Sequence, residues 1–255
     1  MENKPWTREE LVLALNLYLK LPFGKMHSRK PEIVRLAEII NRSAGAVAMR
    51  LTNFASVDPY HQQRGIKGLV GGTRQVQPIW DEFQHNREEL LFESELILAR
   101  LEHQSIESKY ARILDGTEQL KGETKIREVK TRVNQNVFRQ IVLANYSGRC
   151  AISGIDIPDL LVASHIVPWS ENKEERLNPA NGICLSAHFD VAFDKGYLYF
   201  DNDFRMIIGP KLKQYATQPY YFNWFKQFEG KQLNLPSKYL PNQEFLEWHR
   251  EYRCL

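Results

Sequence analysis

Residues 160–169 read LLVASHIVPW, and where this stretch is placed decides the fold of the chain's second half. A short apolar run carries one histidine, His165, and a proline stops it three residues later. Such a run, bounded by a residue that cannot donate to a sheet, reads as a strand. The histidine then has two readings. It is either the satisfied end of a half-buried strand, or a base presented where strand passes into loop. The flanking sequence carries the choice.

Upstream, Val137–Tyr146 has the apolar spacing of a helix and leads into SGRCAISGIDIPD. Ile155–Pro158 and Leu161–Ile166 are expected to pair as two short strands of a hairpin. A charged loop, Ser170–Arg176, precedes LNPANGICLSAHFDVAFDKGYLYF, in which Ser186 is expected to cap a short helix running to about Phe193. Lys195-Gly196 suits the end of that helix. The expected order is two strands, a loop and a helix, followed by a second hairpin in YLYFDNDFRMIIGP. Tyr220, Tyr221, Phe222, Trp224, Phe225 and Trp248 then form an aromatic-rich tail. Stacking on unpaired bases uses such residues, but the expectation is that they pack against the strands and helix.

Four ordered pieces, FRQIVLANYSGRC, LLVASHIVPW, LNPANGICLS and FDVAFDKG, resemble an HNH endonuclease domain over residues 132–210, about a third of the chain. The resemblance implies a ββα-metal fold that hydrolyses phosphodiester bonds with one divalent cation, Mg²⁺ with Mn²⁺ as the alternative. That chemistry needs an activated water, and a histidine with an ordinary pKa of about 6.5 suits the base. The cation handles the developing charge and the leaving group. His165 matches the family's first histidine and is the candidate base. Asn181 matches the asparagine that fixes the loop joining strand and helix; taken alone, it reads equally as a turn residue. The family's final histidine falls nine residues beyond that asparagine, on Asp190. Asp190 is the first candidate metal ligand, a hard oxygen donor for Mg²⁺. His188 is the second, as ligand or phosphate contact, although two residues apart on a helix face about 200° away from one another. Asp194, one turn beyond Asp190, reads as an outer partner of the ion or as a helix-end residue.

Two departures from the family pattern stand out. The position before the histidine, an acidic metal ligand in many HNH domains, is Ser164. Cys150-Ala-Ile-Ser153 and Cys184-Leu-Ser-Ala187 keep one cysteine each of the pairs that hold a zinc ribbon. Two thiolates are too few for a closed tetrahedral site, so no structural zinc is expected.

The first half carries a different signature. Thr7-Arg8-Glu9-Glu10 is a capping-box pattern ahead of Leu11, Leu15, Tyr18 and Leu19, and Pro22-Phe23-Gly24 ends that helix. Ser28 precedes Pro31, a residue suited to a first helical turn, and Ile33, Leu36, Ala37, Ile39 and Ile40 give the second helix its apolar face. Ser43 is expected to cap a third helix that buries Ala46, Val47, Leu51 and Phe54. Two helices joined by a short turn fit a helix-turn-helix, with the third helix reading the DNA groove through Arg42, Arg50 and Asn53. WTREEL, PFGK, AVAMRL and NFASVDP are similar to a module found ahead of HNH nuclease domains. Residues 64–72, RGIKGLVGG, form a basic loop without the Gly-Lys-Ser/Thr of a P-loop; Arg64 and Lys67 are its candidate phosphate contacts. Residues 79–115 read as a long helical region.

Charge is uneven along the chain. Residues 11–80 carry a net +7, residues 81–103 a net −5, and residues 121–149 seven basic groups against two acidic. Basic segments parted by an acidic one fit a polyanion partner, and Arg139 in the second basic segment joins the candidate DNA contacts. No apolar run approaches the roughly 18 residues needed to span a bilayer. The start, MENKPWTREE, lacks a secretory apolar core, and three cysteines make no paired framework, so a reducing cytoplasm is expected. The expected fold class is α+β: a helical, helix-turn-helix-like DNA-recognition domain over residues 1–115, a linker over 116–131, and an HNH nuclease domain with its aromatic extension over 132–255. The expected function is a restriction-type, metal-dependent endonuclease on double-stranded DNA, selective for modified DNA and acting as a homodimer so that two sites cut two strands. The rival readings are a non-catalytic DNA-binding regulator with a degenerate HNH scaffold, and a monomeric nicking enzyme.

Overall fold

Thr7 opens the first helix as its sequence requires. At the start of α1 (Arg8–Lys20), the Glu10 backbone N–H donates to the Thr7 hydroxyl at 3.3 Å, and the Glu10 carboxylate accepts from the Thr7 backbone N–H at 2.8 Å. These bonds satisfy two of the donors that a helix start leaves open. The computed structural model describes residues 4–22, 24–65, 69–117 and 119–254, apart from the side chain of Val70. Phe23 and Lys67 therefore lie outside the described residues.

The chain divides into two compact units, residues 1–137 and 138–255. In the first, α1 is followed by α2 (Pro31–Ile39), α3 (Ala44–Val57), α4 (Pro59–Gln63), α5 (Thr73–Phe83), α6 (Arg87–Leu101) and α7 (Ile106–Lys109). Pro31 takes the first turn of α2, and Ser43 caps α3 by accepting from the Ala46 N–H at 3.1 Å. Helix α1 packs on α3, α5 and α6, which is why it is buried almost all round, with Val12, Ala14 and Tyr18 fully covered. Enclosure on three sides brings a charge inside. Glu95 of α6 accepts from Asn16 at 3.0 Å and from Lys20 at 2.6 Å, with Lys109 at 3.2 Å. Burial alone would raise its pKa, but the two lysines outweigh burial and hold it at about 2.

Helix α8 (Gly122–Asn145) is longer than the expected Val137–Tyr146 and runs through residues 122–131, where the sequence suggested linker. The division between the units falls within it.

In the second unit, β1 (Leu161–His165) pairs antiparallel with β2 (Gly182–Ser186), with His165 opposite Gly182 and Leu161 opposite Ser186. This corrects the expected hairpin of Ile155–Pro158 with Leu161–Ile166. Residues 150–155 close into a turn instead: the Cys150 N–H donates to the Ile155 carbonyl at 2.8 Å, and Gly154 takes a positive φ of 76°. All five residues of GICLS are buried, so this run needs a paired backbone, whereas Ile157 is 53% exposed. Helix α9 (Ala187–Asp194) follows directly and packs on both strands, completing a ββα unit. The second hairpin forms as expected, from β3 (Leu198–Phe200) and β4 (Met206–Ile208). Three short α-helices follow among the described residues: α10 (Pro210–Lys213), α11 (Pro219–Trp224) and α12 (Gln243–His249).

The aromatic tail departs from its expected packing. Phe222 is 63% exposed, Trp224 59% and Tyr220 40%, and of the α11 aromatics only Tyr221 is buried. A six-residue helix offers one face to a core, and Tyr221 occupies it.

Candidate active site

Strand β1 delivers Ser164 and His165 to one end of the ββα unit, and the first turn of α9 delivers Asp190. With Trp169, Asp194 and Lys195 they line a pocket of about 310 Å³. The His165 Nε2 lies 2.9 Å from the Arg176 carbonyl oxygen. Its ring stacks on Phe138, with centroids 4.3 Å apart and planes 15° apart, and meets Trp169 edge-on at 5.7 Å. Burial among these rings pushes the imidazole pKa below its usual value, and the carbonyl bond opposes this only in part.

Gly182 makes the stack possible. A Cβ there would come within 2.5 Å of Val142 Cγ2 and 2.9 Å of Phe138 Cζ, so the bare glycine leaves room for the Phe138 ring.

Asn181, fully buried, pins the loop at the ends of the two strands. Its Oδ1 accepts from the Val167 N–H at 2.8 Å, and its Nδ2 donates to the carbonyls of Val167 at 3.1 Å and Glu175 at 3.3 Å. The loop it holds joins strand to strand, rather than strand to helix as the resemblance implied.

Burial raises the Asp190 carboxyl pKa; the Ser164 hydroxyl favours the ionised form, and Asp194 again opposes it. The hydroxyl at the departing position therefore supports the aspartate instead of replacing an acid. His188 is not part of this group. Helix α9 begins ahead of both residues, so the two diverge, and His188 lines a separate pocket with its Nδ1 3.3 Å from the Ser186 hydroxyl. That contact also engages Ser186, which stands at the N-cap without capping the helix through its side chain.

No group of three or more His, Cys, Asp and Glu side chains suited to a metal ion occurs among the described residues. The donor set that is present, Asp190 with Asp194 on the same pocket, fits a hard cation such as Mg²⁺. That ion keeps several waters and binds through one or two carboxylates and substrate phosphate. Asp194 raises the cost of charging Asp190, which a cation bound there would relieve.

Three candidate DNA contacts of the first unit, Arg42, Arg50 and Asn53, turn inward. Arg42 forms a bidentate pair with Glu10 at 2.8 and 3.0 Å and donates to the carbonyls of Lys4 and Pro5. Arg42 and Arg50 both lie over the Trp6 ring, at 4.4 and 4.8 Å. Asn53 is 2% exposed and donates to the Leu69 carbonyl at 2.6 Å. Gly72 comes so close that a Cβ would sit 2.2 Å from the Asn53 Oδ1. These three side chains therefore hold the helical unit together instead of presenting a reading face. Arg64 is exposed and rests on Tyr60. In the second unit, Arg139 donates to the carbonyls of Leu161 at 2.6 Å and Pro158 at 3.2 Å, fastening α8 to the start of β1.

Sequence reasoning missed Lys195 and Trp169 as lining of the pocket and Phe138 as the ring stacked on His165. All three stand inside the quoted pieces, in FDKG, IVPW and FRQIV, but nothing in their spacing distinguishes lining from packing.

Two antiparallel strands and a helix, with a histidine on the first strand and a carboxylate on the helix, define a ββα unit of nuclease type. Residues 150–201 match the family model described as HNH endonuclease, so this part of the chain is an HNH endonuclease domain. No curated protein matches the chain. A nuclease role with DNA as substrate follows from that family, whose members generally use divalent metals. No helix among the described residues is long and apolar enough to cross a membrane.

Proposed function

We propose that this protein is a metal-dependent DNA endonuclease of restriction type, with the HNH unit cutting and the helical unit selecting DNA. The observation that carries this reading is the single pocket lined by His165, Asp190, Asp194 and Lys195. With Nε2 against a carbonyl, His165 offers Nδ1 as the base that takes a proton from water. The water oxygen forms the new bond to phosphorus, and the bond to the departing oxygen breaks with its electron pair, that oxygen being protonated from solvent. Lys195, exposed at the pocket edge, draws the phosphate in. Asp190, with Asp194 beside it, would hold Mg²⁺ or Mn²⁺, and a cation bound there supplies neutralisation of the charge on phosphate and leaving oxygen. Asn181 positions the loop that follows the base.

DNA selection falls to Arg64, which is exposed, and to Lys67 of the same basic run, since Arg42, Arg50 and Asn53 are engaged internally. A preference for modified DNA and a homodimer that brings two sites to two strands complete the reading. Three free, buried thiols are in keeping with a cytoplasmic setting.

The test is incubation with unmodified, methylated and hydroxymethylated plasmids in Mg²⁺ or Mn²⁺, beside His165→Ala. Linear product from wild type and none from the variant supports the reading. Binding without cutting under either metal replaces it with the non-catalytic regulator. A reaction that halts at nicked circles replaces the dimer with a monomeric nicking enzyme.

A further inference from the structure

We infer that the HNH unit carries a second pocket, adjoining the first, that receives a single nucleobase turned out of the DNA stack. This deepens the endonuclease reading and rests on it. The pocket measures about 240 Å³ and is lined by His188, Val191, Tyr197, Tyr215, Tyr220 and Phe225. Pockets for drug-sized ligands run from about 300 Å³ upward, so this one suits a smaller, flat ring.

Three observations point to a base. First, the walls are aromatic and open: Tyr215 is 43% exposed and Tyr220 40%, while Trp224, 59% exposed, lies 6.3 Å from Tyr220 and 6.5 Å from His188. Exposed rings clustered like this are costly to leave in water, and every base has a π-face that stacks on them. Second, a polar group stands among the rings. The His188 Nδ1 is engaged by Ser186, while its Nε2 has no hydrogen-bond partner among the described residues and can meet the edge of a base. Third, the two pockets share a wall. Val191, 56% exposed, lines both, with Asp190 in one and His188 in the other. A nucleotide whose phosphate meets Lys195 in the first pocket thus has an aromatic slot beside it along the same helix. Extrusion costs a few kcal/mol in a paired duplex and least where the base is mismatched or already unpaired, so the slot favours such sites.

The test is photocrosslinking of the full-length protein, in EDTA so that nothing is cut. 5-Iododeoxyuridine is placed in a single strand in one arm and at a mismatch in a duplex in the other, and adducts are located by mass spectrometry. Adducts on Tyr215, Tyr220, Trp224 or Phe225 are expected in both arms. Adducts confined to other segments, or crosslinks only to a second copy of the chain, overturn the pocket. As a second measurement, Tyr220→Ala combined with Trp224→Ala should weaken single-strand binding by at least about 5-fold. The same loss on a strand made abasic at the probed position would overturn it. Wild-type cleavage in Mg²⁺ is scored separately: adducts in the pocket with no cleavage sink the endonuclease reading and leave the base pocket standing.

Discussion

The Nε2 of His165 lies 2.9 Å from the carbonyl oxygen of Arg176. A carbonyl only accepts, so Nε2 carries the proton of the neutral ring and the lone pair is on Nδ1. The contact thus fixes the tautomer as well as the position of the proposed base. Ring ¹⁵N shifts should report the Nε2–H tautomer, with a pKa below the usual 6.5, since burial disfavours the charged form. The neutral ring persists above that pKa and is lost as pH falls through it. The acid limb of kcat/KM should therefore lie below pH 6.5; a limb above 6.5 would show that a different group is titrating.

Asn181→Ala should destabilise the second unit by about 2–4 kcal/mol, because it removes three hydrogen bonds and strands the buried Val167 N–H. Asn181→Asp should recover little, since a carboxylate cannot donate to the carbonyls of Val167 and Glu175. Thermal melting of the three proteins checks both. Wild-type stability in the alanine variant would show that the loop holds without this clasp.

Arg42→Ala is expected to act on folding and not on base preference. It breaks the bidentate bonds to Glu10 in a pair whose side chains are each 12% exposed, and should cost about 2 kcal/mol. Denaturant unfolding measures the loss, and a panel of DNA sequences measures selectivity. A changed sequence preference at unchanged stability would return Arg42 to the reading face.

Glu95 sets an acid limit on the helical unit. Its folded pKa of about 2 lies below the ordinary 4.5, so the stability it contributes is present above pH 4.5 and is lost as pH falls toward 2. Glu95→Gln should flatten the stability profile in that window when unfolding is followed against pH. A profile unchanged from wild type would mean that other carboxylates govern the acid transition.

Much of the helical unit was legible, because local chemistry fixes its parts. Thr7, Ser43 and Pro31 mark helix starts by mechanisms that act within one turn, and each holds in the structure. The pairing of β1 was not legible in the same way. Ile155–Pro158 is near in sequence and looks like a strand, while the real partner, GICLS, lies across the 166–181 loop and is chosen by burial on both faces. The site divides similarly. His165 and Asp190 could be placed by motif spacing, and they share a pocket. His188 was separated from them by a detail of position, the helix beginning at Ala187 instead of between the two residues. Arg42, Arg50 and Asn53 looked like DNA readers because residue type alone does not reveal an internal partner such as Glu10, Trp6 or Gly72.

Gly182 gives this site a vulnerability that no listing of reactive groups would reveal. The residue opposite His165 contributes nothing but empty space, and the Phe138 ring fills it. The imidazole is thus aimed by a layer of stacked rings whose spacing depends on the smallest side chain in the strand. One methyl group at position 182 would be felt at the base without touching it, as a tilted ring and a misdirected lone pair. An inactive variant can therefore arise in this protein with every chemically active residue still in place.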